Sequence, residues 1–483
     1  MRKMSVKQSV IACSLVSMLS LTACSSNPTT TTGDTGSTSS PAPGNKTITL
    51  SVITSDRFLE LAKQKYEALH PDTKINIKEY AAAPQTAPQG QAQGQGQGQG
   101  QQQMMIMQKP DPKNTEKYAS SVGAELMSGK ASDIIVTSGL PYQKYADKKL
   151  LENISDLMSK DASFKKDNYY TGIFDAMTYN GSLYAVPIKV GLNMWLGNQA
   201  LLSAQQIDDS KWTWADFKKK ASSMIADKNN DGKPDTYPMG KIEPAELVTS
   251  MLNSSFSKFA DVGAKKAKFD TPDFINMLKL AKSMYDDKVI LADNSDPNNV
   301  VFQPKGNVLM YTDMYTMPKM NFEGKGGYYN LPSESEAKGT QFTSSLPLAI
   351  NSKSANKKEA WEFVKYLLSD EMQSARELTG IAVNKTGAKA QIDFLKTLGT
   401  GGEGGGKQMK LMINGKAATV QPATEQDVAA MEKILNNVSV YAENDLKITN
   451  IVAEETAPFF QGQKSAEEVA KVIQNKVNTY LQE

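Results

Sequence analysis

Residues 181–197 read GSLYAVPIKVGLNMWLG, and the proline at their centre limits what the chain can fold into. The turn pair Asn180-Gly181 opens a β-prone run, residues 183–186, and Pro187 ends it because proline cannot donate to a strand ladder. A second apolar run, residues 193–196, follows soon after. Two strands joined by a stiff, proline-marked crossing describe a hinge between two bodies. The 483-residue length agrees. About 460 residues remain once the first 23 are set aside, more than one ordinary domain and enough for two lobes of about 200 each.

The N-terminus fixes the compartment. Arg2, Lys3 and Lys7 are basic, and residues 10–21 are largely apolar. That run is about a dozen residues, whereas a membrane span needs about 20. Leu21-Thr22-Ala23-Cys24 places small residues before a cysteine, as a lipoprotein cleavage box does. Residues 1–23 are therefore expected to be a signal peptide, with Cys24 the lipidated N-terminus of the mature chain. Cys13 leaves with the signal, so no internal disulfide is expected. Residues 24–45 are mostly Thr, Ser, Pro and Gly, too poor in apolar groups to fold. They predict a flexible tether reaching roughly 25 Å. Removing Arg2, Lys3 and Lys7 from the 54 basic residues leaves 51 against 52 acidic ones, a net charge of −1. Near-neutrality argues against nucleic acid as a partner.

Periodicity outlines the globular part. Residues 48–54 (ITLSVIT) read as a buried strand, and Ser55 can cap a helix with Phe58, Ala62, Tyr66 and Leu69 on one face. His70, the single histidine, and Pro71 stop that helix; residues 74–78 then alternate like a strand. Strand, helix, strand predicts a parallel pair. Residues 81–112 carry a Gly-Gln repeat and predict a disordered insertion. Thr213 and Asp216 form a capping-box pattern ahead of Trp214, Phe217, Ala221, Met224 and Ile225. Thr271-Pro272 opens another helix, Asn414-Gly415 signals a hairpin, and Ser465 with Glu468 caps the last helix.

The sharpest chemical motif is residues 227–235. Asp227, Asn229, Asp231 and Asp235 occupy positions 1, 3, 5 and 9 of a calcium loop, with Gly232 at the turn position and the Lys233 carbonyl at position 7. Position 12 is Pro238, so no local glutamate closes the site. A structural Ca²⁺ ion is expected, and a solvated Asx-turn loop is the alternative.

Several segments resemble the family 1 extracellular solute-binding proteins, the receptors of ATP-driven importers. The crossing at Gly181 to Pro187 is similar to their "G-x-L-Y-G-V-P". Leu126-Met-Ser-Gly129 through Asp133-Ile-Ile135, followed by Tyr145 to Leu151, resembles their first-lobe signature. Residues 348–363 (LAINSKSANKKEAWEF) resemble their "A-I-S-x-x-S-x-N-K-E-A-A-W-E-F". The resemblance implies an α/β, two-lobed periplasmic-binding-protein-like fold with three interlobe crossings. Lobe one would hold 46–188 and 332–382; lobe two would hold 189–331 and 383–483. The second crossing is expected at residues 326–332 and the third near 382–384. Tyr142, Lys189, Asp313 and Tyr315 would line the cleft.

The implied function is a monomeric, membrane-tethered receptor on the extracytoplasmic face, delivering a solute to an ABC permease without catalysis. Carbohydrate is the leading solute class by analogy. A lipid-anchored glycosidase and a sensory lipoprotein are the alternatives. Where sugar-binding relatives carry paired aromatics, this chain has Met194-Trp195-Leu196-Gly197-Asn198, so Trp195 either stacks on a sugar or faces the core. Trp212 poses the same choice.

Overall fold

A computed structural model describes residues 46–81, 112–203, 205, 207–232, 234–291, 299–334, 338–398, 410–413, 416–442 and 445–482. The signal, Cys24, the tether and nearly all of the predicted insertion lie outside the described residues. None of the described helices is long and apolar enough to cross a membrane.

Twelve of the described strands build two sheets. In chain order they are β1 (Lys46–Val52), β2 (Thr73–Glu79), β3 (Ile134–Val136), β4 (Val186–Pro187), β5 (Lys189–Asn198), β6 (Tyr237–Met239), β7 (Val300–Val308), β8 (Gly326–Asn330), β9 (Thr340–Ser344), β10 (Pro347–Ile350), β11 (Ile381–Ala382) and β12 (Val438–Tyr441). The first sheet has the order β2-β1-β3-β10-β4. Its β1 and β2 are parallel, with the helix Arg57–Leu69 between them, as the sequence pattern requires. The second sheet has the order β12-β9-β5-β7-β6, and β8 and β11 also pair with β5.

Helix Arg57–Leu69 is capped by Asp56, whose carboxylate accepts from Leu59 N at 2.9 Å; the expected cap, Ser55, bonds Glu60 instead. Phe58, Leu59, Ala62 and Tyr66 are buried, but Leu69, the last residue of the helix, is exposed. His70 ends the helix and lays its ring 4.2 Å from that of Tyr66. The capping boxes at Thr213 and Ser465 form as read. Lys410–Ile413 pairs with Lys416–Thr419 as the predicted hairpin, whose turn residues lie outside the described ones.

Asp133 ties the two most recognisable sequence segments together. Its carboxylate accepts from Thr49 N and Thr49 Oγ1, each at 2.7 Å, and from Ser354 Oγ at 2.5 Å. Asn351, in the same loop as Ser354, donates its backbone N–H to the Asp133 carbonyl and its side-chain amide to the Ala131 carbonyl. A carboxylate buried at a strand end needs such donors, because an unpaired buried charge is costly.

The chain passes between the sheets three times. The first passage, from β4 through Ile188 to β5, lies where Pro187 predicted it. Residues 326–332 do not carry the second: Gly326–Asn330 is a strand of the second sheet, antiparallel to β5. Its edge pairing with Met194 to Asn198 holds it there, and the change of sheet comes at residues 344–347. The third passage lies just before β11.

Alternation along β5 divides the core. Val190, Leu192 and Met194 join a cluster with the first sheet, Phe342, Tyr311 and Tyr315. Trp195 points the other way, into a cluster with Trp212, Trp214, Phe217 and Phe302.

Candidate functional site

All three passages meet at Lys189. It is the first residue of β5 and pairs with Ala382 of β11, while its carbonyl accepts from Ser344 Oγ at 2.9 Å. Its neighbour Ile188 donates to the carbonyl of Leu346 at 3.1 Å. A Cβ placed on Gly380 would come within 2.8 Å of Lys189 Cβ, so the third passage fits there only without a side chain.

The Lys189 ammonium crosses to the other sheet's layer. It lies 2.7 Å from Asp56 Oδ2 and 3.4 Å from Thr379 Oγ1, with 6% of the side chain exposed. Asp56, which also caps its helix, keeps 37% exposure. One partner is enclosed and the other still touches water. Asp56 and Thr379 were missed in the sequence, although a carboxylate at a helix start was a visible signal.

The other three candidates sit elsewhere. Tyr142 is buried in the first cluster, its hydroxyl 3.5 Å from the carbonyl of Met177. Tyr315 is buried on helix Tyr311–Met320, donating to the carbonyl of Gln421 at 2.7 Å beneath the Lys319 ammonium, 4.8 Å from the ring centroid. Asp313 on the same helix is half-buried, and burial pushes its carboxyl pKa up despite a backbone hydrogen bond from Met310. These partners are separate, so the four side chains are not gathered around Lys189. Trp195 and Trp212 both belong to the core, the latter donating from Nε1 to the carbonyl of Asn330 at 3.1 Å.

In the loop of residues 227–235 the side chains close on the backbone. Gly232 N donates to Asp227 Oδ2, Asp231 N to Asn229 Oδ1, and Lys228 N and Asn229 N both to Asp235 Oδ2. Gly232 adopts φ of 83°, where glycine is favoured. Lys233 lies outside the described residues. Among the described residues no group of three or more His, Cys, Asp and Glu is gathered as a metal site.

A family model described as bacterial extracellular solute-binding protein matches residues 109–374, more than half of the 483-residue chain. No curated protein matches. Among solved structures, UspC of M. tuberculosis aligns with a TM-score of 0.56 at 14% identity, covering 90% of this chain and 99% of that one. The sugar-binding protein MalE from Xanthomonas citri aligns at 0.55 and 14%, covering 90% and 98%. A family 1 extracellular solute-binding protein from Alicyclobacillus acidocaldarius aligns at 0.54 and 12%, covering 91% and 99%. These likenesses are of fold: an α/β, two-lobed, periplasmic-binding-protein-like architecture with three crossings. By its matched segment and this fold, the chain belongs to the bacterial extracellular solute-binding proteins.

Proposed function

We propose that the protein captures a carbohydrate between two lobes built on the two sheets and presents it, unreacted, to an ABC permease. The observation that carries this reading is the convergence of all three passages on Lys189, where a charged pair bridges the two sheet layers. A hinge that short lets the bodies move while the ligand site stays at the junction. Closure then requires a ligand that binds the closed form better than the open one. Of the four candidates, we take Lys189 to meet the solute directly, with Asp56 beside it; Tyr142, Asp313 and Tyr315 shape the walls from behind.

Carbohydrate is favoured because the relative from Xanthomonas citri is a sugar-binding protein. Membrane tethering through Cys24 is favoured by the cleavage box alone.

The test is a thermal-shift screen of the purified mature protein against mono- and oligosaccharides and peptides, followed by small-angle scattering. A sugar that raises the melting temperature, compacts the particle and is recovered unchanged supports the proposal. Selective stabilisation by peptides, or conversion of the sugar, refutes it.

A further inference from the structure

We infer that Gln341, held in place by Asn193, donates a hydrogen bond to an oxygen of the bound solute at the floor of the cleft. The inference rests on the solute-binding reading above and assigns it a residue.

Strand alternation puts Lys189, Gly191 and Asn193 on one face of β5. Gln341 on β9 stands directly opposite Asn193, and Thr343 opposite Gly191. At one end of this face the Lys189 ammonium reaches across to Asp56. The Lys189 end of this face therefore lies at the junction of the two bodies. Gly191 leaves the middle of the face bare of a side chain. Beyond Asn193 the same face continues to Trp195 and is sealed by the second cluster.

On this floor one polar atom stands out. Asn193 Nδ2 donates to Gln341 Oε1 at 2.9 Å, which fixes the Gln341 amide and aims its nitrogen away from Asn193. Gln341 is 5% exposed, and its Nε2 is buried with no hydrogen-bond partner. On its other side the register partner is Val440, whose side chain is apolar. Most buried side-chain polar atoms in native proteins are paired, so a fixed, buried amide donor without an acceptor calls for one from outside the chain. An uncharged donor suits a hydroxyl or carbonyl oxygen and disfavours an ammonium group. A polyhydroxylated solute, as in the reading above, supplies such an oxygen.

The full mature protein tests this in two arms, with wild type, Gln341→Leu and Gln341→Glu, and in the melting arm the double variant Asn193→Leu/Gln341→Leu. In the first arm, the unliganded double variant Asn193→Leu/Gln341→Leu is expected to melt no lower than wild type, because it removes both ends of the Asn193 bond together with the unpaired donor at nearly constant volume. A double variant melting several degrees lower would mean that the Gln341 nitrogen already has a partner within the chain, and would overturn the inference.

In the second arm, maltose, trehalose, D-glucose and D-galactose are titrated calorimetrically. Both variants are expected to bind the tightest of these sugars about tenfold more weakly than wild type. Gln341→Glu keeps an acceptor for Asn193 and nearly the same shape but puts a carboxylate where the donor stood, so weaker binding by both variants points to the donor rather than to packing. Unchanged affinity in both variants overturns the inference. Failure of all four sugars to bind wild type refutes the carbohydrate reading, while the melting arm still decides whether the donor is unpaired.

Discussion

Lys189 Nζ lies 2.7 Å from Asp56 Oδ2, joining the first residue of β5 to the cap of the helix Arg57–Leu69. The pair is unequal, with 6% of Lys189 exposed against 37% of Asp56. Asp56→Ala would strand an enclosed ammonium and remove a helix cap. It is expected to cost about 2–3 kcal/mol, discounted from a fully buried pair because Asp56 reaches water. Lys189→Met leaves a carboxylate that water can still reach and that still caps Leu59, so it should cost about 1 kcal/mol or less. Denaturant unfolding of both variants measures the difference. Equal costs would contradict the asymmetry.

Asp161 predicts a pH dependence. Its carboxylate accepts from Lys365 Nζ at 2.7 Å and Trp361 Nε1 at 3.0 Å, and the bond from Lys365, followed by that from Ser163, holds its pKa well below the ordinary carboxylate range. A depressed carboxylate stabilises the fold fully above its unfolded pKa, about 3.9, and loses that contribution as pH falls toward the native value. Asp161→Asn should therefore lower stability by about 1–2 kcal/mol at pH 7. The gap to wild type should close progressively below about pH 4. A constant gap between pH 7 and strongly acidic solution would show that the ion pair is not the cause.

The parallel β1–β2 pair and the capped helices were legible because each is set by local periodicity and capping chemistry. The Asp133 and Asn351 segments were legible as motifs, yet their joint purpose, one carboxylate pinning two loops to β1, appears only once the strands are paired. Residues 326–332 misled because Gly-Gly-Tyr-Tyr-Asn-Leu-Pro reads like a crossing, whereas long-range pairing with β5 makes its first five residues a strand. Trp195 alternates along β5 whichever way it points; only the aromatic cluster beneath it decides the face. Gln341 and Asp56 depend on contacts 148 and 133 residues away in the chain, which no local pattern encodes.

Tethering through Cys24 has a direct test. Expressed with its full N-terminus in a bacterium that processes lipoproteins, wild type should fractionate with the membrane. A Cys24→Ser variant should be released or left unprocessed, since the thiol to be lipidated is gone. Stable anchoring takes more than one acyl chain, so release should be nearly complete where the lipid is the sole attachment. A Cys24→Ser protein that is cleaved at the same position yet stays in the membrane would rule out the lipid anchor.

We propose that the loop of residues 227–235 takes up Ca²⁺. Asp227, Asp231 and Asp235 lie within nine residues, and the oxygen donor types and the glycine at the turn suit this ion. The carboxylates of Asp227 and Asp235 now accept from backbone N–H groups, so uptake requires side chains to turn toward the ion. A bound ion stabilises the fold by about 2.7 kcal/mol at a hundredfold excess over its Kd. Chelation at matched ionic strength should lower the melting temperature of wild type. Asp231→Ala should start lower and respond little, because its loss removes a ligand from the middle of the loop. Calorimetric titration with Ca²⁺ reads the same event without heating. Unchanged melting on chelation, with no heat on titration, would leave the backbone hydrogen bonds as the whole reason for this sequence.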